Sequence, residues 1–281
     1  MRKVLLGLIG AGIQRSLAPA LQEEEARHHG IRVHYQLIDL DGSSRGVEAL
    51  PGLIEAARIM GFAGLNITHP CKQSVIPLLD SLSEEAQSIG AVNTVIRAGD
   101  RLIGHNTDGW GWSWGFRRAL PQADLGRVVL LGAGGAGSAI AYEVLRLGAA
   151  KLLILDPDAS RASALAERMN SIHEAGRASA VGDIAAAMEG ATGLIHATPT
   201  GMDKLPGLPL PASLLRPELW VSEIVYFPLE TELLKAAGRI GCATADGGHM
   251  SVGQALRGFK LFTGREPDAA RMDAHFRRLV S

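Results

Sequence analysis

Apolar and polar positions along the chain follow two rhythms. Short apolar runs read as buried strands at 4–9, 32–37, 64–68, 128–131, 151–155, 193–196 and 220–225. Helical spacing fills the gaps, over about 19–28, over 47–60 and after Ser138. Ser83-Glu84-Glu85-Ala86 reads as a helix start with a serine N-cap. Residues 91–96 and 101–104 read as a hairpin around Ala98-Gly99-Asp100. The tail from Ser251 is helical, in two pieces broken near Gly264-Arg265-Glu266-Pro267. Strands alternating with helices predict an α/β protein with mainly parallel sheets.

One turn punctuates this pattern. The run Arg127–Leu131 leads into Gly132-Ala133-Gly134-Gly135-Ala136-Gly137, and a helical pattern follows. In that setting the glycines let backbone N–H groups approach a pyrophosphate, and the helix N-terminus adds partial positive charge. The turn comes late enough for a whole small domain to precede it. Two domains are therefore expected. Residues 1–106 are assigned to a substrate domain, on which the tail 250–281 can pack back, and 107–249 to a doubly wound Rossmann dinucleotide-binding domain, with a cleft between them. The glycine- and proline-rich stretch 201–211 reads as a loop over the site.

Composition narrows the function. At 281 residues the chain is long for one core and comfortable for two. A net charge of -1 gives no electrostatic case for nucleic acid or an anionic membrane. No apolar run reaches membrane-spanning length. The cysteines, Cys71 and Cys242, offer neither a disulfide framework nor metal-ligand spacing, which suits a cytoplasmic setting. His69, His105 and His249 do not have metal spacing either.

Three polar clusters precede the glycine turn. Asn66-Ile67-Thr68-His69-Pro70-Cys71-Lys72 ends an apolar strand, where ligands of open α/β sheets bind. Asn93 interrupts an apolar strand, and a buried amide needs partners that a polyol can supply. Asn106-Thr107-Asp108 precedes a helix that Asp108 is placed to cap, or from which it faces the cleft. After the turn, the strand 151–155 ends in Asp156-Pro157-Asp158. A carboxylate there accepts hydrogen bonds from an adenine ribose and repels a 2′-phosphate, which favours NAD over NADP. Arg161 is the only base retained beside those carboxylates.

These segments resemble the shikimate/quinate dehydrogenases. The family's Asn-(Val/Ile)-Thr-x-Pro-x-Lys, Gly-Ala-x-Asn-Thr and Asn-Thr-Asp-x-x-Gly segments occur in order at 66–72, 90–94 and 106–111. Its Asn-Ala-Thr-Pro-x-Gly-Met, Val-Tyr-x-Pro and late glutamine helix occur at 196–202, 225–228 and 250–255. The resemblance implies reversible hydride transfer between a nicotinamide cofactor and a small cyclic hydroxy acid, shikimate or quinate. It implies Lys72 and Asp108 as the catalytic pair. Even as a cation, Lys72 can hold an alkoxide-like oxygen. It further implies Ser16, Asn66, Thr68, Asn93, Tyr226 and Gln254 around the substrate. Around the cofactor it implies Gly132, Ala133, Gly134, Gly135, Ala136, Asp156, Arg161, Thr198, Pro199, Met202, Val225 and Gly248. The NAD-using branch fits Asp156, with NADP as the alternative. Family members occur as monomers and homodimers.

The chain also departs from the pattern. The family's Ser-x-(Ser/Thr)-Pro is Ser16-Leu17-Ala18-Pro19, one hydroxyl short. A hydrogen bond to a charged carboxylate contributes about 1.5–3 kcal/mol, roughly one to two decades of affinity. A modified ring acid, such as an aminated one, is therefore a second reading, and a non-catalytic ligand sensor of the same fold a third. His196 replaces the asparagine before Ala-Thr-Pro, which bears on nicotinamide affinity more than on chemistry. Glu223 stands where an aspartate is common.

Overall fold

The computed structural model describes residues 2–280. The chain forms two compact units, Met1–Thr107 with Gln254–Ser281, and Asp108–Gly253. The boundaries fall at 107/108 and 253/254, rather than 106/107 and 249/250. Thr107 is held by Asn93 of the first unit, its N–H donating to Asn93 Oδ1 at 2.8 Å. Gly253 sits against the backbone of Gly111, and His249 against Gly115, in the second.

The first unit begins with β1 (Arg2–Gly10), α1 (Ala18–His28), β2 (Ile31–Asp39), α2 (Leu50–Ile59) and β3 (Gly64–Ile67). It continues with β4 (Ser81–Leu82), α3 (Glu84–Ile89), β5 (Thr94–Ala98) and β6 (Arg101–His105). Its sheet has the order β2-β1-β3-β5-β6-β4. The strands β1, β2 and β3 are parallel, while the β5–β6 hairpin makes the sheet mixed. β1 is apolar because both its faces are covered. Ser83 caps α3 by accepting from Ala86 N–H at 3.2 Å, and Gly90 ends it at φ 72°. The helix expected over 47–60 begins only at Leu50, after a 3-10 turn, with Pro51 in its first turn. The strand expected at 91–96 starts at Thr94. Val92 N–H is drawn instead to the Lys72 carbonyl at 2.8 Å.

The second unit runs α4 (Asp108–Ala119), β7 (Arg127–Leu131), α5 (Gly135–Arg146), β8 (Lys151–Leu155), α6 (Ala159–Ile172), β9 (Ala178–Ala180) and α7 (Ile184–Met188). It continues with β10 (Gly193–His196), β11 (Trp220–Glu223), α8 (Glu232–Ile240) and β12 (Ala243–Ala245). The sheet order β12-β11-β10-β7-β8-β9 is all parallel, the doubly wound arrangement with its switch between β10 and β7. The strand expected at 220–225 stops at Glu223, whose side chain takes the next two N–H groups.

The helix α9 (Gly247–Thr263) starts in the second unit and ends in the first, and α10 (Ala269–Val280) follows. Met250 joins the core of the second unit, whereas Phe259 and Phe262 join that of the first. Among the described residues no helix is long and apolar enough to cross a membrane.

Candidate active site

In the first unit, the carboxyl ends of β1, β2 and β3 carry the loops of interest. Asp39, at the end of β2, gathers the loop after β1. Its carboxylate accepts from Gly12 N–H at 3.0 Å, Ile13 N–H at 3.2 Å and Gln14 Nε2 at 2.9 Å. Partial burial opposes ionisation there, but these bonds and one from Asp41 N–H hold the Asp39 carboxyl below its ordinary range. The loop delivers Ser16 to the start of α1, where Ser16 Oγ accepts from Ala18 N–H at 3.3 Å. The Ser16 proton is thereby left to donate elsewhere.

Asn66 and Asn93 belong to one relay of side chains. Tyr35 O–H donates to Asn66 Oδ1 at 2.7 Å, and Asn66 Nδ2 donates to Thr94 Oγ1 at 3.0 Å. Thr94 O–H then donates to Asn93 Oδ1 at 2.9 Å, and Asn93 Nδ2 to Thr107 Oγ1 at 2.9 Å. The partners expected for the buried Asn93 amide thus include protein groups, and both amides are oriented in advance. Thr68, half-buried, opens a turn closed by Cys71 N–H on its carbonyl at 2.8 Å. Lys72 follows, half-buried, its carbonyl pinned by Val92. Burial pushes the Cys71 thiol up, away from the reactive thiolate. Gln254 opens the part of α9 assigned to this unit, half-buried, next to Ala255, whose carbonyl accepts from Gln22 Nε2 at 2.9 Å.

In the second unit the glycine turn lies at the switch point. Gly132 has φ 103°, and a Cβ on it would meet the Ala197 carbonyl at 2.6 Å. A Cβ on Gly137 would run into the Gly132 carbonyl. Gly134 begins α5 with no side-chain cap, so the first N–H groups of that helix are left for a ligand. Asp156, one residue past β8, braces the turn. Its Oδ2 accepts from Ala133 N–H at 2.8 Å and its Oδ1 from Asp158 N–H at 3.0 Å. Asp158 caps α6 at Ser160 N–H, 3.0 Å away, and Arg161 in the first turn of α6 reaches over Gly134. The glycines that only a missing Cβ permits, the uncapped helix and the carboxylate at the ribose position together fit a dinucleotide.

The remaining expected residues of this unit lie after β10 and β11. Thr198, Pro199 and Met202 form the loop after β10, where Met202 N–H donates to the Pro199 carbonyl at 3.2 Å. Val225 is buried beside Glu223. Burial pushes the Tyr226 phenol up, so it stays a neutral donor. Gly248 N–H donates to Asp246 Oδ1 at 2.9 Å. Asp108 is the first residue of α4 and is buried. Lys72 and Asp108 therefore lie in different units. Among the described residues no group of three His, Cys, Asp or Glu side chains is placed to hold a metal ion.

A profile of the shikimate dehydrogenase substrate-binding domain matches residues 8–95. A shikimate dehydrogenase (NADP(+)) from Streptomyces avermitilis is 54% identical over 98% of this chain and 96% of its own. This chain belongs to the shikimate/quinate dehydrogenase family. A quinate/shikimate dehydrogenase (NAD(+)) from Corynebacterium glutamicum strain R is 47% identical, covering 97% of this chain and 98% of that one. The solved quinate dehydrogenase from Corynebacterium glutamicum in complex with NAD is 45% identical, with a TM-score of 0.93 over 99% of this chain and 100% of that chain. These relatives divide between the two nicotinamide cofactors and between shikimate and quinate in their names.

Sequence reasoning did not single out Tyr35, Asp39, Thr94 or Thr231, and it set Glu223 aside. Each acts by orienting a neighbour that was singled out or that stands next to one. Tyr35 lies in the strand-like run 32–37, where an aromatic is an ordinary core residue. Only the register of β1 with both β2 and β3 reveals its reach to Asn66.

Proposed function

We propose that this member of the shikimate/quinate dehydrogenase family moves a hydride reversibly between NAD and a ring carbinol of shikimate or quinate, in the cytoplasm. The observation that carries the reading is the near-full-length identity to dehydrogenases of both names. The uncapped start of α5 and the bracing by Asp156 support NAD as the cofactor. A nicotinamide cofactor, held by the turn before α5 and the loops after β10 and β11, would supply the hydride acceptor for the carbinol carbon and the hydride donor for the ketone. Lys72 and Asp108 together take the carbinol proton as the hydride leaves and return it when the ketone is reduced, and Lys72 holds the oxygen while charge develops on it. Asn66 and Asn93 present amides fixed by Tyr35, Thr94 and Thr107 to ring hydroxyls, with Thr68 and Gln254. Ser16 and Tyr226 donate to the ring carboxylate. A carboxylate at 156 disfavours the 2′-phosphate of NADP.

A second reading follows from Ala18. Residue 18, where the family has a second hydroxyl, carries only a methyl group, and its N–H donates to Ser16 Oγ at 3.3 Å. An aminated or otherwise altered ring acid is then the better substrate. Initial rates over shikimate or quinate with NAD or NADP decide between these. Fast turnover with NAD and one acid is expected. Turnover only with NADP removes the argument from Asp156. Feeble rates in all four combinations, from protein that binds NAD, move the assignment to the altered ring acid.

A further inference from the structure

The last residues of β10 and β11, His196 and Glu223, are register partners and both are fully buried. His196 Nδ1 faces both carboxylate oxygens, at 2.9 and 3.0 Å, and donates a hydrogen bond to them. Nε2 lies 2.5 Å from Thr198 Oγ1. Behind the histidine, Glu223 accepts from Ile224 N–H at 2.8 Å, Val225 N–H at 3.0 Å and the Thr231 hydroxyl at 3.0 Å. Thr231 in turn caps α8 at Leu234 N–H, 3.3 Å away. A single line of polar atoms thus joins two strand ends, one helix start and the loops after β10 and β11.

Stability is a poor explanation for such a line, because apolar residues of similar volume often serve a core as well or better. What the line fixes is one hydroxyl. Held by Nε2, Thr198 Oγ1 is also approached by Thr200 N–H at 3.3 Å. Its place in the sheet says what else it meets. Asp156 marks the adenosine half, at the end of β8, and β10 and β11 belong to the other half. We propose that His196 is a positioning residue for the nicotinamide end of the dinucleotide. In this proposal Nε2 takes the Thr198 proton while Nδ1 is backed by Glu223, which leaves Thr198 Oγ1 as an acceptor for the carboxamide N–H. The inference rests on the dinucleotide reading above.

The test is calorimetric titration of the full chain with NADH and with ADP-ribose, which lacks the nicotinamide. In His196→Asn the amide nitrogen can take the place of Nδ1 and keep the bond to Glu223, but nothing reaches Thr198. One hydrogen bond lost predicts NADH affinity weakened about three- to tenfold. ADP-ribose affinity should stay within about twofold, which also reports a folded domain. Thr198→Val should behave alike, and the double variant no worse than either single one. His196→Gln, whose amide reaches toward the position of Nε2, should recover most of the loss. Equal losses for both ligands, additive losses, or unchanged NADH affinity would overturn the role of His196. Wild-type protein that binds neither ligand would instead overturn the dinucleotide reading.

Discussion

At the scale of single residues, the site is built from side chains that others hold still. Lys72 is the sharpest case. It is half-buried, follows a turn closed on Thr68, and has its own carbonyl tied to Val92. The backbone therefore stays in place if the side chain is cut back. Lys72→Ala should lower kcat by about 100-fold or more, the usual reach of a positioned acid–base group. The Kd for NAD, read by fluorescence titration, should change by less than about twofold, since the residues proposed to hold the cofactor lie in the other unit. Turnover that survives the change would remove Lys72 from the chemistry. The segments 66–72 and 106–111 made Lys72 and Asp108 candidates without any structure, because they are local in sequence. The bracing residues were hidden for the opposite reason. Tyr35 meets Asn66, and Glu223 meets His196, only across strands whose register no short segment encodes.

At the scale of elements, the docking of α10 onto α1 turns on a single buried carboxylate. Glu25 of α1 accepts from Arg271 Nε at 2.7 Å and Nη2 at 2.6 Å, and from Asp268 N–H at 2.8 Å. His29 adds a contact at 2.9 Å. Burial works to raise the Glu25 carboxyl, but these bonds outweigh it and hold the group below its ordinary value. A carboxylate depressed in this way stabilises the fold at pH values above about 4.3, the ordinary glutamate value. That contribution disappears as pH falls through the lower folded value. The stability deficit of Glu25→Gln, measured by urea unfolding, should be largest at pH 7 and shrink toward pH 3. A deficit that does not change with pH would show that packing, and not charge, holds α10. Arg271→Ala strands the buried charge and should cost about 2–3 kcal/mol at pH 7, less than for a sealed pair because Arg271 is partly open to water. Helices of this kind were visible in the apolar spacing. The short strands β4, β9 and β12 were not, since two or three residues such as Ala178–Ala180 carry no period to read.

At the scale of the whole molecule, each apolar cluster keeps to one unit. Two are made only of residues between Trp112 and Met250, and two only of residues from Val4 to Leu102 with Phe259 and Phe262. The glycine turn announced the continuous unit in the sequence. Phe259 and Phe262 complete the other core, from the stretch 250–281 that the sequence reading groups with residues 1–106. With separate cores, unfolding need not be a single two-state event. Scanning calorimetry should resolve two transitions, and NAD should move only one of them. At a hundred times its Kd the cofactor stabilises its own unit by about 2.7 kcal/mol. Gly137→Ala, which drives a methyl into the Gly132 carbonyl, should abolish that shift. Deleting residues 254–281 removes Phe259 and Phe262, so it should erase the NAD-insensitive transition and leave the other. A single transition that moves as a whole with NAD would mean that the two cores melt as one cooperative body.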